Sequence, residues 1–173
     1  MGRCRLGMRL ALCALSVLLS GCATNPLDRI RDEAVSRSPA LRRAAVKLAG
    51  ECPDPDALGV VIDALEADDE IRAAAAHALI LRGREWERGH GRTNWTKANP
   101  VIAAVGETAA KVHLDGATRA KAVWVLGEIG SRKAKDAIAG AYGDDSMAVQ
   151  HEQARARDKL GFTGTAVAYE VLR

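Results

Sequence analysis

Apolar residues recur along this chain at the spacing of a helix stripe, several times over. Leu41, Ala44, Ala45, Leu48 and Ala49 fall at offsets of 0, 3, 4, 7 and 8, and Cys52 lies on the same line. Ile71, Ala74, Ala75, Ala78 and Leu79 repeat those offsets thirty residues later. Residues so spaced share one face of an α-helix, because 3.6 residues per turn bring i, i+3 and i+4 together. A third stripe holds Ala122, Val125, Leu126 and Ile129, although Lys121 stands where the first copy has Ala44. A fourth, frayed copy runs from Gln150 to Gly161, with Ala156 and Leu160 as its clearest apolar positions. Second helices fall between the copies. Leu58, Val61, Ile62 and Leu65 follow the turn Pro53-Asp54-Pro55-Asp56. Val101, Ala104, Val105, Thr108, Ala109 and Val112 follow Asn99-Pro100, a cap with proline at the first helical position. Ala134, Ala137, Ile138, Ala141 and Tyr142 follow Gly130-Ser131.

The pattern predicts an all-α fold, an α-solenoid of stacked helix hairpins with about three repeats and a terminal helix. One hairpin cannot bury its stripe alone, so stacking must supply the core. The chain resembles HEAT repeats of the short bacterial kind related to phycobilisome lyases. The resemblance rests on Pro55-Asp56-Ala57-Leu58, Ala64-Leu65, Asp68 to Ala75, Ala78-Leu79 and Val125 to Gly130, and covers residues 38–161. In that family an arginine near the start of the first helix often pairs with an aspartate of a neighbouring turn. Arg42 or Arg43, Arg72 and Arg119 occupy that place, which implies a structural ladder between repeats.

The period breaks once. Arg42 and Arg72 are 30 residues apart, but Arg72 and Arg119 are 47 apart. The excess falls at 83–97, expected as an inserted loop, with two of the three tryptophans, three glycines and clustered charge. Binding residues concentrate on loops held by a rigid scaffold, and tryptophan and arginine are common interface anchors. Arg84, Trp86, Arg92 and Trp95 are therefore the protein-binding candidates. Two readings stay open: a contact surface, or a tether whose tryptophans fold back on the repeat edge.

Composition agrees with closely packed helices. There are only six aromatic residues, too few for a typical compact sheet protein, and alanine is the best helix former and lets backbones approach.

The first residues carry a different pattern. Arg9 precedes an apolar run from Leu10 to Leu19, then Leu19-Ser20-Gly21-Cys22. The run is ten residues, half of what a membrane-spanning helix requires. It resembles a bacterial lipoprotein signal peptide ending in a lipobox. The resemblance implies cleavage after residue 21, acyl chains on Cys22 and attachment to a membrane. An aspartate after the cysteine favours inner-membrane retention in such proteins. Ala23 stands there instead, which points to the outer membrane, facing the periplasm. Ala23 to Pro26 would form a short tether and Leu27 to Ser36 a first helix, with residues 162–173 as a tail.

Processing alters the charge balance. Arg3, Arg5 and Arg9 leave with the leader, so 25 basic and 22 acidic residues become 22 of each. No basic stripe remains of the kind nucleic-acid binding needs. Cys4 and Cys13 leave too, and Cys52 is the one thiol not assigned to lipid, expected in the core rather than as a reactive group.

Catalytic and metal patterns are sparse. His77, His90, His113 and His151 show no i, i+4 pairing, and Cys52 has no nearby partner. Glu85 and Glu87 read as solvated. No Walker loop or nucleophile elbow appears. The sequence thus implies a non-enzymatic, lipid-anchored envelope scaffold without a cofactor that binds another protein. A lyase-like or chromophore-handling enzyme and a purely structural lipoprotein are the alternatives.

Overall fold

A computed structural model describes residues 25–90, 98–141 and 145–161. Among these residues the chain is all helical. Its elements are α1 (Pro26–Ala34), α2 (Pro39–Glu51), α3 (Asp56–Asp63) with a 3₁₀ turn at Ala64–Glu66, α4 (Asp69–His90), α5 (Pro100–Ala110), α6 (Gly116–Ile129), α7 (Ala134–Ala139) and α8 (Met147–Lys159). The helix starts are written locally. Asn25, Ser38, Asn99 and Asp115 each cap the first turn by accepting a backbone N–H, and proline holds the first helical position of α1, α2 and α5.

The helices form two layers. In one, α2, α4, α6 and α8 pack in series; in the other, α3, α5 and α7 do so. This is the arrangement of a solenoid, with α1 packed on α2 at the first end. Leu65, Ile71, Leu79, Leu126, Ile138 and a set of valines fill the space between layers. Within a layer the contacts use small residues. A Cβ at Gly50 would fall 2.6 Å from Ala78 Cβ, and one at Gly127 would fall 2.9 Å from Ala156 Cβ. The abundance of alanine therefore has a steric reason: helices of successive repeats touch almost backbone to backbone.

The third stripe is buried as expected, with Ala122, Val125, Leu126 and Ile129 all inside. The first is rotated. Ala45, Val46 and Ala49 form the buried face of α2, whereas Leu41 and Leu48 remain 47% and 45% exposed and Ala44 is exposed as well. α2 is the first helix of its layer: Gly50 on one flank meets Ala78 of α4, and Leu41 and Leu48 lie on the other flank, where no preceding helix of that layer stands among the described residues. Cys52 terminates α2 as its C-cap and is half-buried against the core, with its thiol free. Val112 lies beyond the end of α5 and is exposed rather than on a stripe.

The ladder of arginines is present in part. Arg42 Nη2 lies 2.7 Å from Asp68 Oδ2 of the next turn, and Arg43 pairs with Glu70. Arg72 does otherwise: its Nε and Nη2 donate to the carbonyls of Leu65 and Ala67 at 2.8 and 2.9 Å, and Nη1 pairs with Asp69. The buried Thr118 Oγ1 lies 3.2 Å from the same Leu65 carbonyl, from two repeats' distance along the chain. Asp115 accepts from Thr118 as well, through its hydroxyl and its N–H, which holds the Asp115 carboxyl below the usual aspartate range.

Candidate functional site

The expected loop at 83–97 begins as helix. α4 continues without a break to His90, two turns beyond residue 83. Gly83, one of the three glycines of that segment, is a contact residue. It is buried, and a Cβ there would meet the Ile129 side chain at 2.6 Å. Removing the side chain lets α4 pass close to α6, so the glycine supports the helix rather than ending it. Residues 91–97, including Arg92 and Trp95, lie outside the described residues, as does Cys22.

Arg84 and Trp86 share the last turns of α4 but point to different partners. Arg84 is tied to the end of α6. Its Nε donates to the Glu128 carbonyl at 2.8 Å, its Nη2 donates to the same oxygen, and Nη2 lies 3.3 Å from Glu128 Oε2. A carbonyl in the last turn of a helix has no partner within the helix, so Arg84 satisfies a group that α6 leaves open. Its guanidinium is a brace between repeats, not a free contact.

Trp86 is the centre of a small cluster. Its ring stacks on His90, one turn later, with centroids 4.7 Å apart and planes inclined by 25°. Lys133, from the turn before α7, places Nζ 5.0 Å from the indole centroid and 4.0 Å from Glu87 Oε2. Asn99 closes the cluster from below. Its Nδ2 donates to Glu87 Oε1 at 3.0 Å and to the Gly83 carbonyl at 3.2 Å, while its Oδ1 caps the Val101 N–H. Asn99 is almost wholly buried, so one amide both starts α5 and fixes the end of α4. The result is a half-buried aromatic platform with a cation on its face and a carboxylate beside it, built from two successive helix pairs.

A second surface lies between α6 and α8. Trp124, Gly127, Glu128, Arg155, Ala156, Asp158 and Lys159 line an open groove of about 300 Å³. Lys121 Nζ sits 4.6 Å from the Trp124 ring centroid, and Lys159 Nζ is 2.6 Å from Glu128 Oε2.

Glu87, His90, Lys133 and Trp124 were not legible as site residues. Glu87 reads as one of two solvated carboxylates, although Trp86 and His90 stand at i and i+4, the spacing that would have joined them had 83–90 been read as helix. Lys133 carries no local mark at all. Among the described residues no three His, Cys, Asp or Glu side chains gather as a metal ligand set. No helix there is long and apolar enough to cross a membrane. No family model matches the chain, and no curated protein matches it.

Proposed function

We propose that this chain is a lipid-anchored scaffold of the cell envelope that binds another protein through its helical-repeat surface. In this reading acyl chains on Cys22 hold it at the outer membrane, facing the periplasm, and the repeats are of the HEAT type. The lipobox-like Leu19-Ser20-Gly21-Cys22 and the helix pairs of about thirty residues support those two parts. The contact surface is centred on Trp86, with Trp95 and Arg92 further along the same insertion as its other anchors.

One observation carries the binding reading. Trp86 is kept half-exposed on a rigid helix end and held in one orientation by His90, Lys133 and the Asn99-anchored Glu87. Tryptophan anchors held in advance lose little entropy on binding, which is why they dominate many interfaces. The test is cross-linking in intact envelopes followed by pull-down of the chain and of Trp86→Ala. The substitution removes a half-exposed ring and keeps α4 helical, so circular dichroism should be unchanged while a specific cross-linked partner is lost. If Trp86→Ala and Trp95→Ala both retain every partner, the insertion is not the contact surface.

A further inference from the structure

Helix α1 starts closer to Cys22 than a flexible tether would allow. Asn25 is already its N-cap, accepting the Leu27 N–H at 3.1 Å, and Pro26 is its first residue. Three residues separate Cys22 from Pro26: Ala23, Thr24 and Asn25. The span from Cys22 to the cap is then at most about 11 Å, roughly one helix diameter. α1 is itself part of the stack, since Leu27 is buried and the helix packs along α2. An acyl group on Cys22 would therefore draw the whole first end of the solenoid onto the lipid headgroups.

That end is unusual in what it exposes. The terminal repeat of a solenoid needs a polar outer face to remain soluble. Here Val35 is 82% exposed and Leu41 and Leu48 nearly half exposed. Leu41 and Leu48 stand seven residues apart on one line of α2, and Val35 caps the end of α1. Arg37 and Lys47, both exposed, are their close neighbours in the chain. Apolar side chains flanked by cations suit the boundary between acyl chains and anionic headgroups, where each group finds its own medium.

We infer that Val35, Leu41 and Leu48, flanked by Arg37 and Lys47, form a seating surface on which the first end of the solenoid rests against an anionic bilayer. The inference rests on the lipid-anchor reading of Cys22. The anchor supplies proximity and the face supplies orientation, so the long axis of the stack rises from the membrane and the α8 end points away from it.

The experiment uses the full chain, lipidated in a bacterium that processes lipoproteins and then placed in phosphatidylethanolamine vesicles containing phosphatidylglycerol. In a Cys52→Ser background, an environment-sensitive fluorophore is attached to Val35→Cys, Leu41→Cys or Leu48→Cys, with Met147→Cys as the distal control. All four sites are exposed, so each probe reports without entering the core. Emission from 35, 41 and 48 should shift to the blue on vesicles and be quenched by brominated acyl chains, and emission from 147 should do neither. Palmitate labelling of the same preparations, with Cys22→Ser beside them, reads the anchor separately. If label does not enter in a Cys22-dependent manner, the anchor reading falls and the seating surface falls with it. If label enters but probes 35, 41 and 48 stay as water-exposed as 147, the anchor stands and the seating surface is wrong. A shift that grows with protein-to-lipid ratio assigns the face to a second copy of the chain and also overturns it.

Discussion

Gly127→Ala should destabilise the fold, although alanine is the better helix former. A Cβ at 127 would lie 2.9 Å from Ala156 Cβ and 3.1 Å from Ala156 Cα, which is backbone and cannot rotate away. Carbon atoms in contact settle at about 3.5–4.0 Å, so α6 and α8 must part by about 0.5 Å, forfeiting roughly a quarter of the attraction across the seam. Overpacking of this kind costs about 1–3 kcal/mol, and the propensity gain returns about 1 kcal/mol, leaving a net loss near 1 kcal/mol. Gly59→Ala is the internal control. It sits exposed in α3 with nothing within 4 Å of the added carbon, so only the gain of about 0.5–1 kcal/mol operates. The same chemical change should thus have opposite signs at the two sites, separating the melting temperatures by about 4–8 °C. Thermal unfolding followed by circular dichroism measures both. Adding Ala156→Gly to Gly127→Ala should recover part of the loss, a positive coupling in the double-mutant cycle. If Gly127→Ala stabilises as much as Gly59→Ala, α6 and α8 do not meet at this seam.

Three further outcomes are expected. Asn99→Ala should cost more than the ~1 kcal/mol typical of a lost N-cap, about 2 kcal/mol or more, because the buried amide also holds the Gly83 carbonyl and Glu87; a loss within the ordinary cap range in chemical denaturation would show that the α4 end does not depend on it. Asp68 and Asp115 have folded pKa values below the ordinary carboxylate value, Asp68 chiefly through the Ile71 N–H and then Arg42, Asp115 chiefly through the Thr118 hydroxyl. Their contribution is complete above about pH 4 and disappears as pH falls through the depressed folded values; the Asp68→Asn, Asp115→Asn double variant should show a shallower acid decline in melting temperature, and an unchanged slope would refute the assignment. Arg84→Ala should lower the melting temperature by a few degrees, about 1 kcal/mol for a half-exposed brace, with no loss of a cross-linked partner beyond what instability explains; a full loss of partner in a stably folded Arg84→Ala would restore it as a contact residue.

The repeat, the element types and most helix starts were legible because they are local. Caps, prolines and stripes act within one helix, and α6 is buried on all the expected positions since it has neighbours along both layers. α2 shows where locality ends. Its sequence offers a stripe through Leu41 and Leu48, but burial goes to Ala45, Val46 and Ala49 because position in the stack decides which face has a neighbour. Gly83 failed for a related reason. Glycine, charge and a broken period all suggest a loop, yet the missing side chain answers the approach of Ile129 from another repeat. The Trp86 cluster needed that helix to be known, and it needed the rise between repeats, which is what brings Lys133 to the ring.

Glu128 gives the stack a mechanical character. A solenoid whose units touch only their neighbours behaves as a coiled spring, and its bend is set by how far successive helices stand apart at each tip. Arg84 from one turn of the spring and Lys159 from another both converge on Glu128. Three successive coils are pinned at this edge, and the opposite edge is tied too, by Arg42 to Asp68, by Arg43 to Glu70 and by Thr118 at the Leu65 carbonyl. Force applied along the axis would therefore meet ties at both edges, and at one of them Glu128 would pass the load from the α4–α6 seam to the α6–α8 seam through a single side chain.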